Sequence, residues 1–264
     1  MANPLRLIST DFDGTLFTEF ENPPVPRELQ TMLTRLQQSG VKWVINTGRD
    51  MSSLMEVMGR AGLEVRPDYL VLVERELYVL EGGHYSNFED WNHHCQADHD
   101  ELFDQVRDRI PDFISWIEDR YEATLYEDPW SPLCLIARNP HEAEEIVVHL
   151  EEFAKTVPSL TVVRNDVYAR FSHEKYNKGA ALSHLAKKLG IEAQNVFAAG
   201  DHHNDLPMLR LEHAAYLCAP ANAIPEVKQL VESQGGYVSH QPCGKGVARA
   251  LEYFIEVSGS SLIA

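Results

Sequence analysis

The chain has 264 residues, enough to bury a large core, and it falls where single cores give way to two domains. Its 40 Asp plus Glu against 23 Lys plus Arg give a formal charge of −17, which excludes a phosphate-tracking basic surface and, with it, nucleic acid as a partner. Cys95, Cys134, Cys218 and Cys243 show no CxxC spacing, and the start, MANPLRLIST, has no signal-like apolar stretch, so reduced thiols in a cytoplasmic protein with no membrane partner are expected.

Leu5 to Leu16, LRLISTDFDGTL, is a short apolar run that delivers two carboxylates at the end of a buried strand. Residues i and i+2 share a face of an extended segment, so Asp11 and Asp13 look into one pocket while Phe12 turns to the core. Gly14 then permits a sharp turn or the close approach of a ligand. Phosphoryl transfer needs an oxygen nucleophile, a cation and a proton donor. With one bound metal this pair supplies all three, one carboxylate forming an aspartyl-phosphate and the other moving protons, a contribution of ~10²–10⁴-fold. The same residues also read as a solvated Asp-x-Asp-Gly turn.

Arg27 to Gln38 sets Leu29, Met32, Leu33 and Leu36 on one helical face, with Gly40 as the stop. Val41 to Ile45 is a second strand running into Asn46-Thr47-Gly48-Arg49-Asp50. A helix with Leu54, Val57, Met58 and Ala61 inside and Asp50 as its N-cap follows. Strand, helix, strand, helix is the pattern of a parallel sheet covered on both faces. Tyr69–Val73 and Leu77–Leu80 read as further strands before Gly82 and Gly83 break the pattern.

From His84 to about Tyr126 the composition turns to acids, histidines and aromatics, with a helix expected around Glu101 to Arg120, delimited or interrupted by Pro111. A strand at Leu133–Ala137, a helix at His141–Lys155 and a strand pair, Leu160–Val163 and Val167–Phe171, complete an α+β insert. The first pattern resumes with a helix from Asn177 to Leu189, a strand at Val196–Ala199, a helix, a strand at Tyr216–Cys218, and helices at Ile224–Ser233 and Val247–Ile255. Residues 1–83 and 174–264 are thus expected to form one domain around an inserted domain at 84–173.

Asn195 to Leu209, NVFAAGDHHNDLPML, repeats the logic of the first motif. Gly200 frees a turn, Asp201 follows, and Asn204 and Asp205 fall on its side. Mg²⁺ takes oxygen ligands from one or two carboxylates plus the substrate phosphate, a demand that Asp11, Asp201 and a backbone carbonyl near Asp13 meet. Asp201 also reads as an N-cap. Thr47 with the amides of Gly48 and Arg49 before a helix makes an anion site. Lys178 reads either as a fixed positive charge between Asp11 and that anion or as an ordinary exposed lysine. All four motifs sit at loops, and in an open α/β sheet the ligand crevice lies beyond the carboxyl ends of the strands.

In order, DFDGTL at 11–16, Thr47 in NTGRD, Lys178 in YNKG and GDHHND at 200–205 resemble the four motifs of the haloacid-dehalogenase-like (HAD) hydrolase superfamily. The insert between the second and third motifs, with APANAIPEVK at 219–228 and the segment 244–251, looks like the Cof-type branch with a C2 cap, and the resemblance covers nearly the whole chain. It implies a Rossmann-like parallel-sheet core with an α+β cap. It also implies Asp11 as nucleophile, Asp13 as acid/base, and Thr47, Gly48, Lys178 and Asn204 around the phosphate. Mg²⁺ would be held by Asp11, the Asp13 carbonyl and Asp201, with Asp205 supporting the metal shell.

Two departures stand out. Glu74-Arg75-Glu76 replaces the Asn-Gly pair common after the third strand, and His202-His203 stand where small residues are usual, as exposed loop histidines or as modifiers of metal preference. No zinc site is expected at His93-His94-Cys95. The cap is expected to select the leaving group, with Trp91, Trp130, Arg170, His173 and Lys175 among the candidates. The expectation is a Mg²⁺-dependent phosphatase, monomeric or a small homo-oligomer, acting on a small phosphorylated metabolite of the sugar phosphate type. A phosphomutase or phosphotransferase, or a non-catalytic phosphate-ester sensor, stands as the alternative.

Overall fold

The computed structural model describes residues 5–257, which divide into two compact units. One takes the chain up to Phe88 and again from Lys178, and the other is Glu89–Asn177.

The first unit begins with β1 (Leu7–Thr10), buried at all its positions as a central parallel strand must be. α1 (Arg27–Gln38) turns Leu29, Leu33 and Leu36 inward. β2 (Lys42–Asn46) leads to α2 (Met51–Arg60), whose first turn is closed by the Asp50 side chain accepting the Ser53 N–H. Next come β3 (Tyr69–Leu72), β4 (Glu76–Glu81) and β5 (His84–Asn87), with β4 antiparallel to β3 and β5 antiparallel to β4. Gly82 and Gly83, at φ 57° and 88°, are the two-residue turn between β4 and β5 rather than an end to the sheet. The chain therefore stays in this unit through Phe88, past the expected boundary at Gly83.

The second unit opens with α3 (Glu89–Val106), a single 3₁₀ turn at Arg107–Arg109, and α4 (Ile110–Glu118). Pro111 lies in the first turn of α4, where its missing N–H is an orphan in any case, so the expected helix over 101–120 is two helices, the first starting at Glu89. β6 (Thr124–Asp128), β7 (Ser131–Ile136), α5 (Pro140–Ala154), β8 (Leu160–Asn165) and β9 (Tyr168–His173) complete it. The four strands form an antiparallel sheet in the order β6-β7-β9-β8. Leu133, Leu135 and Phe171 pack with Phe113, Ile117, Ile146 and Leu150 of the helices, and each such side chain stabilises the unit by about 1.5–3 kcal/mol on burial.

Back in the first unit are α6 (Lys178–Lys188), β10 (Val196–Ala199), β11 (Tyr216–Ala219), α7 (Pro225–Ser233), β12 (Tyr237–Val238) and α8 (Cys243–Val257). The sheet order is β12-β11-β10-β1-β2-β3-β4-β5, parallel from β12 through β3. The helix expected between β10 and β11 is only a 3₁₀ turn, His203–Asp205. The Asp205 carboxylate folds back onto the Asp201 and His202 amides, and Pro207 lacks the N–H that a continuing helix needs. Among the described residues no helix is long and apolar enough to cross a membrane.

Candidate active site

Parallel register decides which loops meet. Thr10 lies beside Ala199 on one side and Ile45 on the other, so the segments after β1, β10 and β2 leave one end of the sheet together. Asp11, 5% exposed, donates its backbone N–H to Ala199 O at 2.9 Å. Lys178, the first residue of α6, has no exposed surface, and Asn46 Nδ2 donates to its carbonyl at 2.9 Å. From there Lys178 Nζ donates to Asp11 Oδ1 at 2.7 Å and to Asp205 Oδ1 at 2.6 Å. The other oxygen of Asp205 accepts the backbone N–H of Asp201 at 2.8 Å and of His202 at 3.0 Å. Asp201 Oδ1 accepts Thr15 Oγ1 at 2.9 Å. Gly14, at φ 74°, passes so close to Asp201 that a Cβ there would overlap its carboxylate.

Asp11, Asp201 and Asp205 each bring a carboxylate oxygen within 4.8 Å of the others. Burial holds the Asp11 carboxyl well above its usual range, with Asp205 and Asp201 adding to the effect and Lys178 opposing it. Burial, reinforced by Asp205, raises Asp201 to about 7. Burial also disfavours the charged form of Lys178, but the Asp11 and Asp205 carboxylates outweigh it and hold the ammonium protonated. Three carboxylates against one ammonium leave an excess of negative charge out of water, which a hard divalent cation with oxygen preference fits.

The other expected residues are arranged differently. The Asp13 side chain is gripped by Arg49, whose Nε donates to Oδ2 at 2.6 Å and whose Nη2 donates to Oδ1 at 2.8 Å. Thr47 is buried, and its Oγ1 accepts the Arg49 N–H at 3.2 Å in the turn that opens α2. Asn204 Nδ2 donates to Glu74 Oε1 at 2.8 Å. His202 and His203 are half-buried, with their Nδ1 atoms 3.3 Å apart.

Four participants are absent from the expected set. Thr15 and Arg49 lie inside the motifs that revealed their neighbours. Glu74 sits at the departure after β3. Asn222 lies in APANAIPEVK and ties three segments together: its Nδ2 donates to Gly14 O at 2.8 Å and to Asp201 Oδ2 at 3.3 Å, and its Oδ1 accepts the Cys243 N–H at 2.8 Å. Nothing in the local pattern around residue 222 marks these bonds, which join positions far apart in sequence.

The profile of the sucrose-6F-phosphate phosphohydrolase family matches residues 4–255. The sucrose-phosphatase of Synechocystis sp. PCC6803, solved in complex with sucrose and phosphate, is 20% identical and aligns over 96% of this chain and 98% of its own with a TM-score of 0.71. A haloacid dehalogenase-like hydrolase from Bacillus subtilis is 19% identical over 94% of this chain and 99% of its own, with a TM-score of 0.66. The 5-amino-6-(5-phospho-D-ribitylamino)uracil phosphatase YcsE of B. subtilis is 24% identical over 95% of this chain and 96% of its own length. With a profile match along almost its entire length and the fold of these hydrolases, the chain belongs to the sucrose-6F-phosphate phosphohydrolase family of HAD-like enzymes and is a phosphoric monoester hydrolase.

Proposed function

We propose that this phosphatase hydrolyses a small phosphorylated metabolite of the sugar phosphate class through an aspartyl-phosphate on Asp11, with Mg²⁺ as its metal. The observation that carries the reading is the buried Asp11 carboxylate, fixed through one oxygen by Lys178 and flanked by Asp201 and Asp205. The family match and the likeness to a sucrose-phosphatase support the sugar class.

Asp11, Asp201 and Asp205 have the donor set for the ion, with the Asp13 carbonyl as a further oxygen. Mg²⁺ bound there supplies charge neutralisation for the phosphoryl oxygens. The chain's own residues do the rest. Thr47 Oγ1, the Gly48 amide and Asn204 bind the phosphoryl oxygens, and Lys178 offsets the charge of Asp11 as substrate approaches. The Asp11 carboxylate attacks phosphorus, and the departing ester oxygen takes a proton from Asp13. Asp13 then takes a proton from the water that attacks the aspartyl-phosphate, releasing inorganic phosphate and restoring Asp11. Arg49 holds the Asp13 carboxylate through both of its oxygens, and Asp13 takes up the proton it donates by giving up one of those two bonds. We assign selection of the leaving group to the unit at 89–177.

The test is phosphate release from a panel of phosphorylated sugars, nucleotides and an aryl phosphate, with Mg²⁺ or with chelator. Metal-dependent release that is fastest with sugar phosphates is expected, falling by about 10⁴-fold or more in Asp11→Asn, as removal of a nucleophile does. Turnover retained in a folded Asp11→Asn protein would overturn the nucleophile assignment, and release indifferent to chelator would overturn the metal.

A further inference from the structure

The loop after β3 is where the chain departs from the resemblance, and its backbone is unusual. Val73 and Glu74 are consecutive non-glycine residues at φ 45° and 67°, a left-handed conformation that crowds a β-branched or long side chain. Backbone bonds impose it: Val73 N–H donates to Arg49 O at 3.0 Å, Glu74 N–H to Thr47 O at 2.9 Å, and Arg75 N–H to Leu72 O at 2.9 Å. The first two tie the loop to the turn that forms the expected anion cradle. Glu74 is carried into that cradle with only 6% of its surface exposed. Glycine would meet the backbone's demand at lower cost, so what residue 74 contributes is to be sought in its carboxylate.

That carboxylate acts on Asn204. Glu74 Oε1 accepts Asn204 Nδ2 at 2.8 Å, and a Cβ on Gly48 would stand 3.3 Å from Oε1 and 3.9 Å from Nδ2, so the three groups converge at the cradle. A side-chain amide fits its slot either way round, offering two N–H donors on one edge or an acceptor on the other. A phosphoryl oxygen requires the donor edge. Because Glu74 Oε1 accepts from it, the nitrogen stays beside Gly48 and its second N–H is left for an anion. Asn204 Oδ1 is buried with no hydrogen-bond partner, so the carbonyl end does not set the orientation. The charge of Glu74 is not isolated, since it joins Asp11 and Asp205 in favouring the protonated form of Lys178.

We propose that Glu74 is a positioning residue for phosphate binding, fixing the Asn204 amide with its N–H edge toward Thr47 and Gly48. The proposal rests on the reading of Asn204 and the cradle as the phosphate site. It assigns Glu74 to the binding of the phosphoryl group and not to the chemical step, which separates KM from kcat.

The experiment compares Glu74→Gly, Glu74→Gln, Asn204→Ala and the Glu74→Gly/Asn204→Ala double variant in the Mg²⁺-loaded enzyme, reading KM, kcat, inhibition by inorganic phosphate and thermal midpoint. Glu74→Gly and Asn204→Ala are each expected to raise KM and the phosphate inhibition constant about tenfold, a loss of about 1.4 kcal/mol, with kcat within about twofold. The double variant matches either single one, because Glu74 acts through Asn204. Glu74→Gln, whose amide oxygen still accepts from Nδ2, stays within about threefold of wild type. The midpoint of Glu74→Gly does not fall, since glycine suits the left-handed backbone. Additive losses in the double variant, or tighter phosphate binding in Glu74→Gly, would overturn the proposal. An effect of Asn204→Ala without one of Glu74→Gly defeats this inference alone, whereas no effect of Asn204→Ala defeats the phosphate-site reading beneath it.

Discussion

Two lysines three residues apart, Lys175 and Lys178, lie in regions governed by opposite electrostatics. Lys175 belongs to the second unit, where its side chain is 59% exposed and Nζ donates to Asp98 Oδ2 at 2.7 Å. Tyr176 Oη donates to the same oxygen at 2.6 Å. These hydrogen bonds push Lys175 up to about 12 and hold Asp98 below its usual value. One cation and one carboxylate cancel there, in contact with water. Lys178 belongs to the first unit, shows no exposed surface, and faces two carboxylates directly with a third beside them. The balanced, wet pair fixes local geometry. The unbalanced, dry cluster keeps a standing demand for positive charge, met by a proton or a metal ion, and that demand makes it a place for chemistry.

The largest separation between the two regions is expected on removing the cations. Lys178→Met leaves three carboxylates without their ammonium, and stripping one partner from a buried charge cluster costs about 3–5 kcal/mol. Urea unfolding in chelator measures that loss, and added Mg²⁺ is expected to recover part of it by binding only the folded state. A loss below about 1 kcal/mol would mean that the cluster is as well solvated as Asp98, and the contrast would break.

The contrast also has a pH signature. A carboxyl whose folded value is raised binds more protons folded than unfolded between its two values. Stability then falls as pH rises through that window and reaches its floor above the folded value. For Asp201 the window runs from the ordinary carboxyl value of 3.8 to about 7, and Asp11 shifts in the same direction. The metal-free wild type is therefore expected to lose stability from about pH 4 to pH 7, with a flatter slope in Asp201→Asn and in wild type saturated with Mg²⁺. Asp98 works in the opposite sense, its stabilisation being lost only as pH falls through its lowered value. Equal slopes for wild type and Asp201→Asn in chelator would show that burial does not tax the cluster.

How much of this was legible in the sequence follows from what is local. The apolar strands, the Asp50 cap and the Gly-Asp turn at 200–201 each announce themselves within a few residues, and they place the fold and the carboxylates together. β5 and β6 do not, because His84–Asn87 and Thr124–Asp128 lack a clean apolar alternation and are held by pairing with their neighbours. The helix expected after β10 fails for a related reason, since one Asp205 carboxylate bonding backward outweighs the helical spacing of Asn204 and Asp205. Lys178 was readable as a site residue only through the motif order, because EKYNKG presents Lys175 and Lys178 alike. The bonds from Glu74 to Asn204 and from Arg49 to Asp13 are set by which strands neighbour which. No local pattern encodes them.

The smallest effect belongs to Lys175. Lys175→Met keeps an unbranched side chain and removes the charged Nζ, which lies over the Tyr176 ring 4.9 Å from its centroid. Asp98 keeps its bond from Tyr176 and water, so no buried charge is left behind. Exposed ion pairs are worth about 0–1 kcal/mol and fade with salt, so urea unfolding of Lys175→Met is expected within about 1 kcal/mol of wild type, with the gap closing in molar NaCl. A salt-insensitive loss above about 2 kcal/mol would show that Lys175 and Asp98 are held away from solvent in solution. The second unit would then carry a dry charge pair of its own, and charge balance alone, not wetness, would separate the two regions.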